Sequence, residues 1–428
     1  MKNTVFYNTT SQLIAKFVSM SLTVLATILI TRAFGKEGYG QFSLMQTLPA
    51  LFYILADFGL NTTALKKIGG DEKNAQKYYQ TVLGLRLLLS VAFIAVLNII
   101  TLFLPYSSFL KTGILVSSLL ILTQALYSST NLIFQYKQRY DLSSLGYMGG
   151  SVLTISLVVI FMKLGLDIRL LSFAYVLGGI AAFIVNAQLV KKLGYRSTLN
   201  INTNLAKGVL KSSLPLGLMF IFSQISFKAD SILLSLLKLP SFTELTNIET
   251  VAIYSLPYKI FEVALVLPTF FMNAVYPIFV RKLQESRDGF KNIFFKTLKY
   301  MVALGLTTSA TLYLLAPVVV KILGGQEFDQ STEVLKILAV GLFIFFLTQP
   351  ISYLIVTLDK QKYLPAIYLI SAIFNVSANL IFIPKYSFYA SAYITWISEG
   401  LIFLMLTFFA VKSWQACPSD RREHYAPR

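Results

Sequence analysis

Apolar runs of twenty residues or more recur from one end of this chain to the other, separated by short polar connections. A helix needs roughly 20 apolar residues to cross a bilayer, and within it every backbone polar group must be paired inside the segment. The runs therefore predict an all-α polytopic membrane protein. Twelve spans are expected. Six lie near residues 11–34, 42–62, 79–104, 109–133, 143–163 and 170–190, and six near 213–237, 251–277, 297–320, 334–357, 363–384 and 387–411. The connections are too short to hold a soluble catalytic domain. A soluble helical protein of 428 residues would need far more charged surface than the 13% charged residues supply, set against 56% hydrophobic residues. "MKN" ahead of the first span is like the start of a signal peptide, but the apolar segment is too long and lacks a small-x-small cleavage site, so it is expected to be retained.

Charge placement predicts orientation. The even-numbered connections and the two termini carry 24 Lys and Arg residues, and the odd-numbered connections carry 9. By the positive-inside rule both termini are expected in the cytoplasm, as an even number of spans requires. The net charge of +18 is then mostly a matter of topology, and no nucleic-acid partner is expected. Cys417 and His424 are the only residues of their kinds and both fall in the C-terminal tail. An intrachain disulfide framework is excluded, and a Cys/His metal site is not expected. The tail, "CPSDRREHYAPR", is polar and is expected to be disordered.

Two stretches 212 residues apart can be laid over each other without a gap. Ser11, Gln12, Lys16, Ser19, Leu22 and Leu25 match Ser223, Gln224, Lys228, Ser231, Leu234 and Leu237, and "FSL" at Phe42 meets "YSL" at Tyr254. The offset pairs span 1 with span 7 and span 2 with span 8 in the same orientation. It predicts two parallel six-helix lobes, as in transporters built from parallel repeats. They would occupy residues 1–195 and 213–412, with a cytoplasmic linker at 196–212 and a polar cytoplasmic tail at 413–428. Apolar helices share Leu and Ser by chance, but paired lysines are less common.

Lys16, Arg86, Lys228 and Lys259 fall within predicted spans, as do Asp57, Asp230, Glu262 and Glu399. A charge near the bilayer centre costs roughly 2.5 kcal/mol or more, so such residues face a bundle interior or a wet cavity. The four cations are the candidate lining of a substrate cavity for an anionic head group, Lys acting as a compact charge and Arg as a bidentate clamp. Asp57, Asp230 and Glu262 are the candidates for coupling or charge balance. Lys259 and Glu262 share one helical face, whereas Lys228 and Asp230 point about 200° apart and need different partners. By the repeat, Lys16 and Lys228 should face each other across a central cleft. A plainer alternative has Lys16 and Arg86 snorkel to the cytoplasmic interface and Asp57 cap the end of span 2. A plain alternative for Lys259 and Glu262 is a pair that locks span 8 to a neighbour.

Pro49, Pro215, Pro257, Pro268 and Pro350 lie in predicted spans, where kinks suit a bundle that opens to alternate sides. Gly149–Gly150 and Gly178–Gly179 read as close-packing points. The chain has no phosphate-cradling glycine loop with a following Lys-Ser/Thr, no nucleophile elbow and no metal-binding helix motif. No enzyme activity and no cofactor are expected. Without a nucleotide site, transport must draw on an ion gradient, the membrane potential or the substrate's own gradient, and H⁺ and Na⁺ both remain open as coupling ions.

"TRAFGKEGYGQFSL" after span 1 resembles the Wzx-type polysaccharide-biosynthesis flippases, in which an arginine, a glycine and a Tyr-Gly pair lead into span 2. "DFGLNTTALKKI" is similar to that family's end of span 2, "LPLGLMFIFSQISFKADSILLSLL" to its seventh span and "VAIYSLPYKIFEVALVLPTFFMNAVYPIFVRK" to its eighth. The family lies within the multidrug/oligosaccharidyl-lipid/polysaccharide exporter (MOP) superfamily. The resemblance implies a V-shaped pair of six-helix lobes around a cationic cavity. It also implies movement of undecaprenyl-pyrophosphate-linked oligosaccharide, such as an O-antigen, capsule or exopolysaccharide unit, across the bacterial inner membrane. Implied partners are the lipid-linked oligosaccharide, membrane lipids and the polymerase of the same glycan pathway. The two extra spans usual in lipid II flippases are not found, and the tail past Trp414 has no family counterpart. Two alternatives stand beside this reading. An ion-coupled drug or metabolite antiporter of the same fold would line its cavity with carboxylates more than lysines. A membrane sugar polymerase or ligase would carry a large outer loop with catalytic Arg, His or Asp, which residues 239–250 do not supply.

Overall fold

A computed structural model describes residues 2–69 and 71–415, with residues 2–14 described by their backbone alone. Cys417, His424 and the tail from Ala416 onward lie outside the described residues, as do the side chains of Ser11 and Gln12 in the repeat. All regular structure among the described residues is helical. The helices are α1 (Lys2–Asp57), α2 (Leu60–Ile68), α3 (Glu72–Phe103), α4 (Ser108–Tyr136), α5 (Tyr140–Lys163) and α6 (Ile168–Lys192). They continue with α7 (Thr203–Leu236), α8 (Asn247–Ala264), α9 (Val266–Glu285), α10 (Arg287–Leu323), α11 (Ser331–Thr357) and α12 (Leu364–Gln415).

Among the described residues ten helical stretches are long and apolar enough to cross a membrane, which makes the chain a multi-pass membrane protein. The sequence predicts twelve spans, and the difference lies in two stretches of 54 and 55 residues. At 1.5 Å per residue each runs about 80 Å, far beyond a hydrocarbon core of about 30 Å. Both contain a break. Gly35 in α1 stands at φ 62° and ψ −163°, and Ser387 in α12 at φ 54° and ψ −141°. Gly adopts that backbone without penalty, whereas Ser carries a Cβ into a sparsely allowed region. The breaks divide α1 into 2–34 and 36–57, and α12 into 364–386 and 388–415. Residues 42–62 are predicted as one continuous span, but α1 stops at Asp57, because Phe58 and Gly59 both have positive φ before α2 resumes.

Side-chain caps fix helix starts in the connections. Asp71 accepts from the Lys73 backbone N–H at 2.9 Å, and Ser107 from that of Leu110 at 3.2 Å. Thr246 and Glu249 form a reciprocal capping box at the start of α8. Asp167 accepts from the backbone N–H groups of Arg169 and Leu170, and the Arg169 guanidinium bonded to it holds its carboxyl below the usual carboxylate range.

Most of the prolines do not break their helices. α1, α7, α8 and α11 continue across Pro49, Pro215, Pro257 and Pro350. The exception is the eighth span, which breaks at Leu265 between α8 and α9, where Pro268 has no N–H to offer the Ala264 carbonyl four residues earlier.

The chain divides into two compact units, Met1–Gln224 and Ile225–Arg428, with the boundary inside α7. In the first, Leu60, Ala64, Tyr79, Val82, Phe134, Val190 and Val209 form a core that ties α2, α3, α4, α6 and the start of α7 together. Three of the four paired glycines are packing points. A Cβ on Gly178 would lie 1.8 Å from Thr154 Oγ1, one on Gly150 would lie 2.7 Å from the Gly178 carbonyl, and one on Gly179 would lie 2.6 Å from Thr123 Oγ1. Gly149 faces open space. In the second unit, a Cβ on Gly341 would meet Trp396 at 2.1 Å, so α11 and α12 approach closely there.

Candidate functional site

Among the described residues, the charged side chains of the predicted spans form two ion-paired groups, Arg86 with Asp57 and Lys228 and Lys259 with Glu262, and leave Asp230 and Glu399 buried without an ion pair and Lys16 without a partner. In the first unit Arg86 is 0% exposed and its Nη2 donates to Asp57 Oδ1 at 2.6 Å. Nη1 donates to Asn61 Oδ1 at 2.9 Å and to Ser129 Oγ at 3.3 Å. Asp57 also accepts from Tyr53 and Ser128 hydroxyls, each at 3.2 Å. Asp57 is therefore more than a helix-end cap, and Arg86, fourteen residues into α3, does not snorkel. In this conformation its guanidinium has no open face for a ligand.

In the second unit Lys228 donates to Glu262 Oε1 at 2.6 Å and Lys259 to Glu262 Oε2 at 3.4 Å. Their side chains are 19%, 29% and 40% exposed in the order Lys228, Glu262, Lys259. The three thus form an accessible group with two positive charges and one negative.

Asp230 lies on the opposite side of α7 from Lys228 and is 0% exposed. Its carboxylate accepts from Tyr254 Oη at 2.6 Å, Asn379 Nδ2 at 2.8 Å and Thr395 Oγ1 at 3.0 Å. Asn379 in turn bonds the Ser391 hydroxyl and lies against Asn375. Among the described residues no Lys, Arg or His pairs with Asp230. A buried carboxylate without a counter-charge holds a proton or a bound cation.

Lys16 is partly buried on α1 and has no hydrogen bond or ion pair with another described residue. Its neighbour one turn on, Ser19, accepts from Ser151 on α5 at 3.2 Å. The repeat matches Ser19 to Ser231, but Ser231 pairs with Ser255 on α8 at 3.4 Å. The two halves thus share helix spacing and differ in polar partners.

The sequence reading missed Asn61, Ser128 and Ser129 around Arg86, and Tyr254, Asn375, Asn379, Ser391 and Thr395 around Asp230. A signal was present in the second set. Asn375/Asn379 and Ser391/Thr395 are two i,i+4 polar pairs inside apolar runs, so each places two polar side chains on one helical face.

The family model for polysaccharide biosynthesis proteins matches residues 4–283, and a second model, MatE, matches residues 215–381. Among solved structures the chain is similar to a lipid II flippase, MurJ, in an inward closed conformation, at 18% identity and a TM-score of 0.75, covering 94% of this chain and 89% of that one. It is similar to an inward-facing multidrug resistance MATE family transporter of the MOP superfamily, at 14% identity and a TM-score of 0.71, covering 95% and 96% of the two chains. It is also similar to a MOP superfamily transporter from Pyrococcus furiosus described as having a binding pocket of reverse polarity, at 15% identity and a TM-score of 0.67, covering 96% of each chain. No curated protein matches the chain. These structures are of flippases and transporters, not enzymes, and they share this all-helical fold. With 280 of its 428 residues matched by the family model, the chain belongs to the polysaccharide biosynthesis protein family, on the fold of the MOP superfamily transporters.

Proposed function

We propose that the protein is a flippase that moves undecaprenyl-pyrophosphate-linked oligosaccharide across the bacterial inner membrane by alternating access. The observation that carries the reading is the accessible Lys228–Glu262–Lys259 group, whose net charge is one positive. A compact, partly desolvated cation pair suits a pyrophosphate, and the single carboxylate keeps it from holding that anion too tightly to release. Lys16 supplies a further charge in the first half of the chain. Residues 1–195 and 213–412 act as the two lobes, with both termini cytoplasmic, and the polymerase of the same pathway takes the product. The buried, uncompensated Asp230 is the point at which a sodium ion or a proton couples to the cycle. Arg86 and Asp57 hold the first lobe together.

Asp230 also favours a second reading, an ion-coupled antiporter of the same fold. Its substrate would be a drug or metabolite cation, for which the lysine group is the wrong sign. The test is leaflet exchange of a labelled prenyl-pyrophosphate oligosaccharide in liposomes, for the wild type and for Lys228→Ala/Lys259→Ala. A sharp loss in a folded variant supports the flippase. Full exchange in the variant overturns the assigned role of the lysines, and wild-type protein that moves an organic cation but no lipid-linked glycan favours the antiporter.

A further inference from the structure

The first half of the chain contains a cavity of about 210 Å³ that the proposed anion site does not use. It is a half-open pocket lined by both parts of α1 and by α4, α5 and α6, all within one unit. No Asp, Glu, Lys, Arg or His lines it. Its polar wall is made of neutral amides and hydroxyls, chiefly Gln46, Gln124, Thr23 and Ser151, and its aromatic wall includes Tyr127 and Tyr147, whose ring centres are 6.0 Å apart. The side-chain Nε2 of Gln46 is buried and has no hydrogen-bond partner. A buried donor of that kind costs about 1–3 kcal/mol, which a turn of the Gln46 side chain toward an occupant of the cavity would recover. At about 30 Å³ per water, the space equals about seven waters, which suits one sugar ring.

The position along α1 adds to this. Lys16, Ser19, Thr23 and Ala26 follow each other at steps of three and four, so they share one helical face, and Thr23 and Ala26 line the cavity. Seven residues separate Lys16 from Thr23, about 10 Å along the helix axis. A phosphate held by Lys16 would thus have a neutral, hydroxyl-rich and aromatic pocket about 10 Å away, roughly the length of two sugar rings.

We infer that this cavity is a binding site for a single neutral pyranose ring of the transported glycan, with Gln46 and Gln124 as its reading residues. The inference rests on the flippase reading for what delivers the sugar, and it locates sugar selectivity in the first half of the chain. A pocket without charge accepts neutral hexoses and N-acetylhexosamines by amide and hydroxyl hydrogen bonds and by stacking on tyrosine. It disfavours a uronic acid, whose carboxylate would be desolvated with no cation to meet it.

The test needs no lipid carrier. Methyl glucoside, methyl N-acetylglucosaminide and glucuronic acid are titrated into the purified protein in nanodiscs and followed by saturation-transfer NMR. The expected result is saturable binding of the two neutral glycosides and none of the acid, with binding weakened about tenfold in Gln46→Leu, the loss of one well-made hydrogen bond. Gln124→Leu serves as a second variant, and an unchanged melting temperature shows that each is folded. If neither glycoside saturates, or if both bind equally well to the two folded variants, the pocket holds only water and the inference is overturned. The liposome exchange assay separates this from the flippase reading. Exchange with no glycoside binding sinks the sugar pocket alone, and variant-sensitive glycoside binding without exchange sinks the flippase alone.

Discussion

Lys228 and Lys259, thirty-one residues apart on different helices, hold the two oxygens of one carboxylate, that of Glu262, at 2.6 Å and 3.4 Å. The arrangement leaves one positive charge in excess in a partly exposed position. Glu262 therefore sets how strongly the group attracts an anion. In Glu262→Gln the excess doubles, and for side chains this exposed solvent screens the added unit charge to roughly 1.4 kcal/mol. The expected outcome is binding of a prenyl-pyrophosphate glycan tightened about tenfold and leaflet exchange slowed, because release becomes limiting. Faster exchange with unchanged affinity would show that the carboxylate does not temper the lysines.

Arg86 and Asp57 form a different kind of pair. The guanidinium is fully buried, Asn61 and Ser129 accept from its Nη1 and its Nε has no hydrogen-bond partner, so removing the acid strands a charge away from water. Asp57→Leu and Arg86→Met are each expected to lower stability by about 3–5 kcal/mol, and the double variant by less than the sum. Denaturant unfolding in detergent measures this. Single-variant losses under about 1 kcal/mol would mean that the pair does not hold the lobe.

The helices were legible in the sequence because bilayer crossing demands long apolar runs, but their polar extensions were not, and α7 and α10 each begin ten residues before the expected spans. Neither were the kinks. Proline suggested itself at Pro49, Pro257 and Pro350, yet the helices pass through, since neighbours and water can satisfy one freed carbonyl, while the sharp turns at Gly35 and Ser387 come from positive φ. The Lys259–Glu262 contact could be read from its i,i+3 spacing. Lys228 with Glu262 and Arg86 with Asp57 lie 34 and 29 residues apart on separate helices, so only packing reveals them. Asn379 and Thr395 were hidden for the same reason, 149 and 165 residues from Asp230.

The glycine pairs allow a controlled comparison. At Gly178 a methyl group would collide with Thr154 Oγ1, and at Gly149 it would meet nothing within 4 Å. Gly178→Ala is expected to cost about 1–3 kcal/mol through overpacking. Gly149→Ala should be neutral or stabilising by up to about 1 kcal/mol, the helix-propensity gain. Melting of the two variants side by side checks this, and equal melting temperatures would remove the packing role given to Gly178.

Asp230 joins α7, α8 and both parts of α12 through Tyr254, Asn379 and Thr395, so whatever occupies its carboxylate bears on how those helices hold together. Asp230→Asn keeps the shape and most of the hydrogen bonds but loses the charge that a sodium ion or proton would neutralise. The variant should fold with nearly wild-type melting, and its leaflet exchange should no longer respond to sodium or to pH. Asp230→Ala removes three hydrogen bonds at once, although Thr395, Asn379 and Tyr254 keep contacts to Ser391, Asn375 and each other, and it should melt lower, at a cost of about 1–3 kcal/mol in all. If Asp230→Asn keeps the full ion dependence of the wild type, coupling does not run through this carboxylate, and the remaining buried acid in the same half, Glu399 on α12, becomes the residue to replace next.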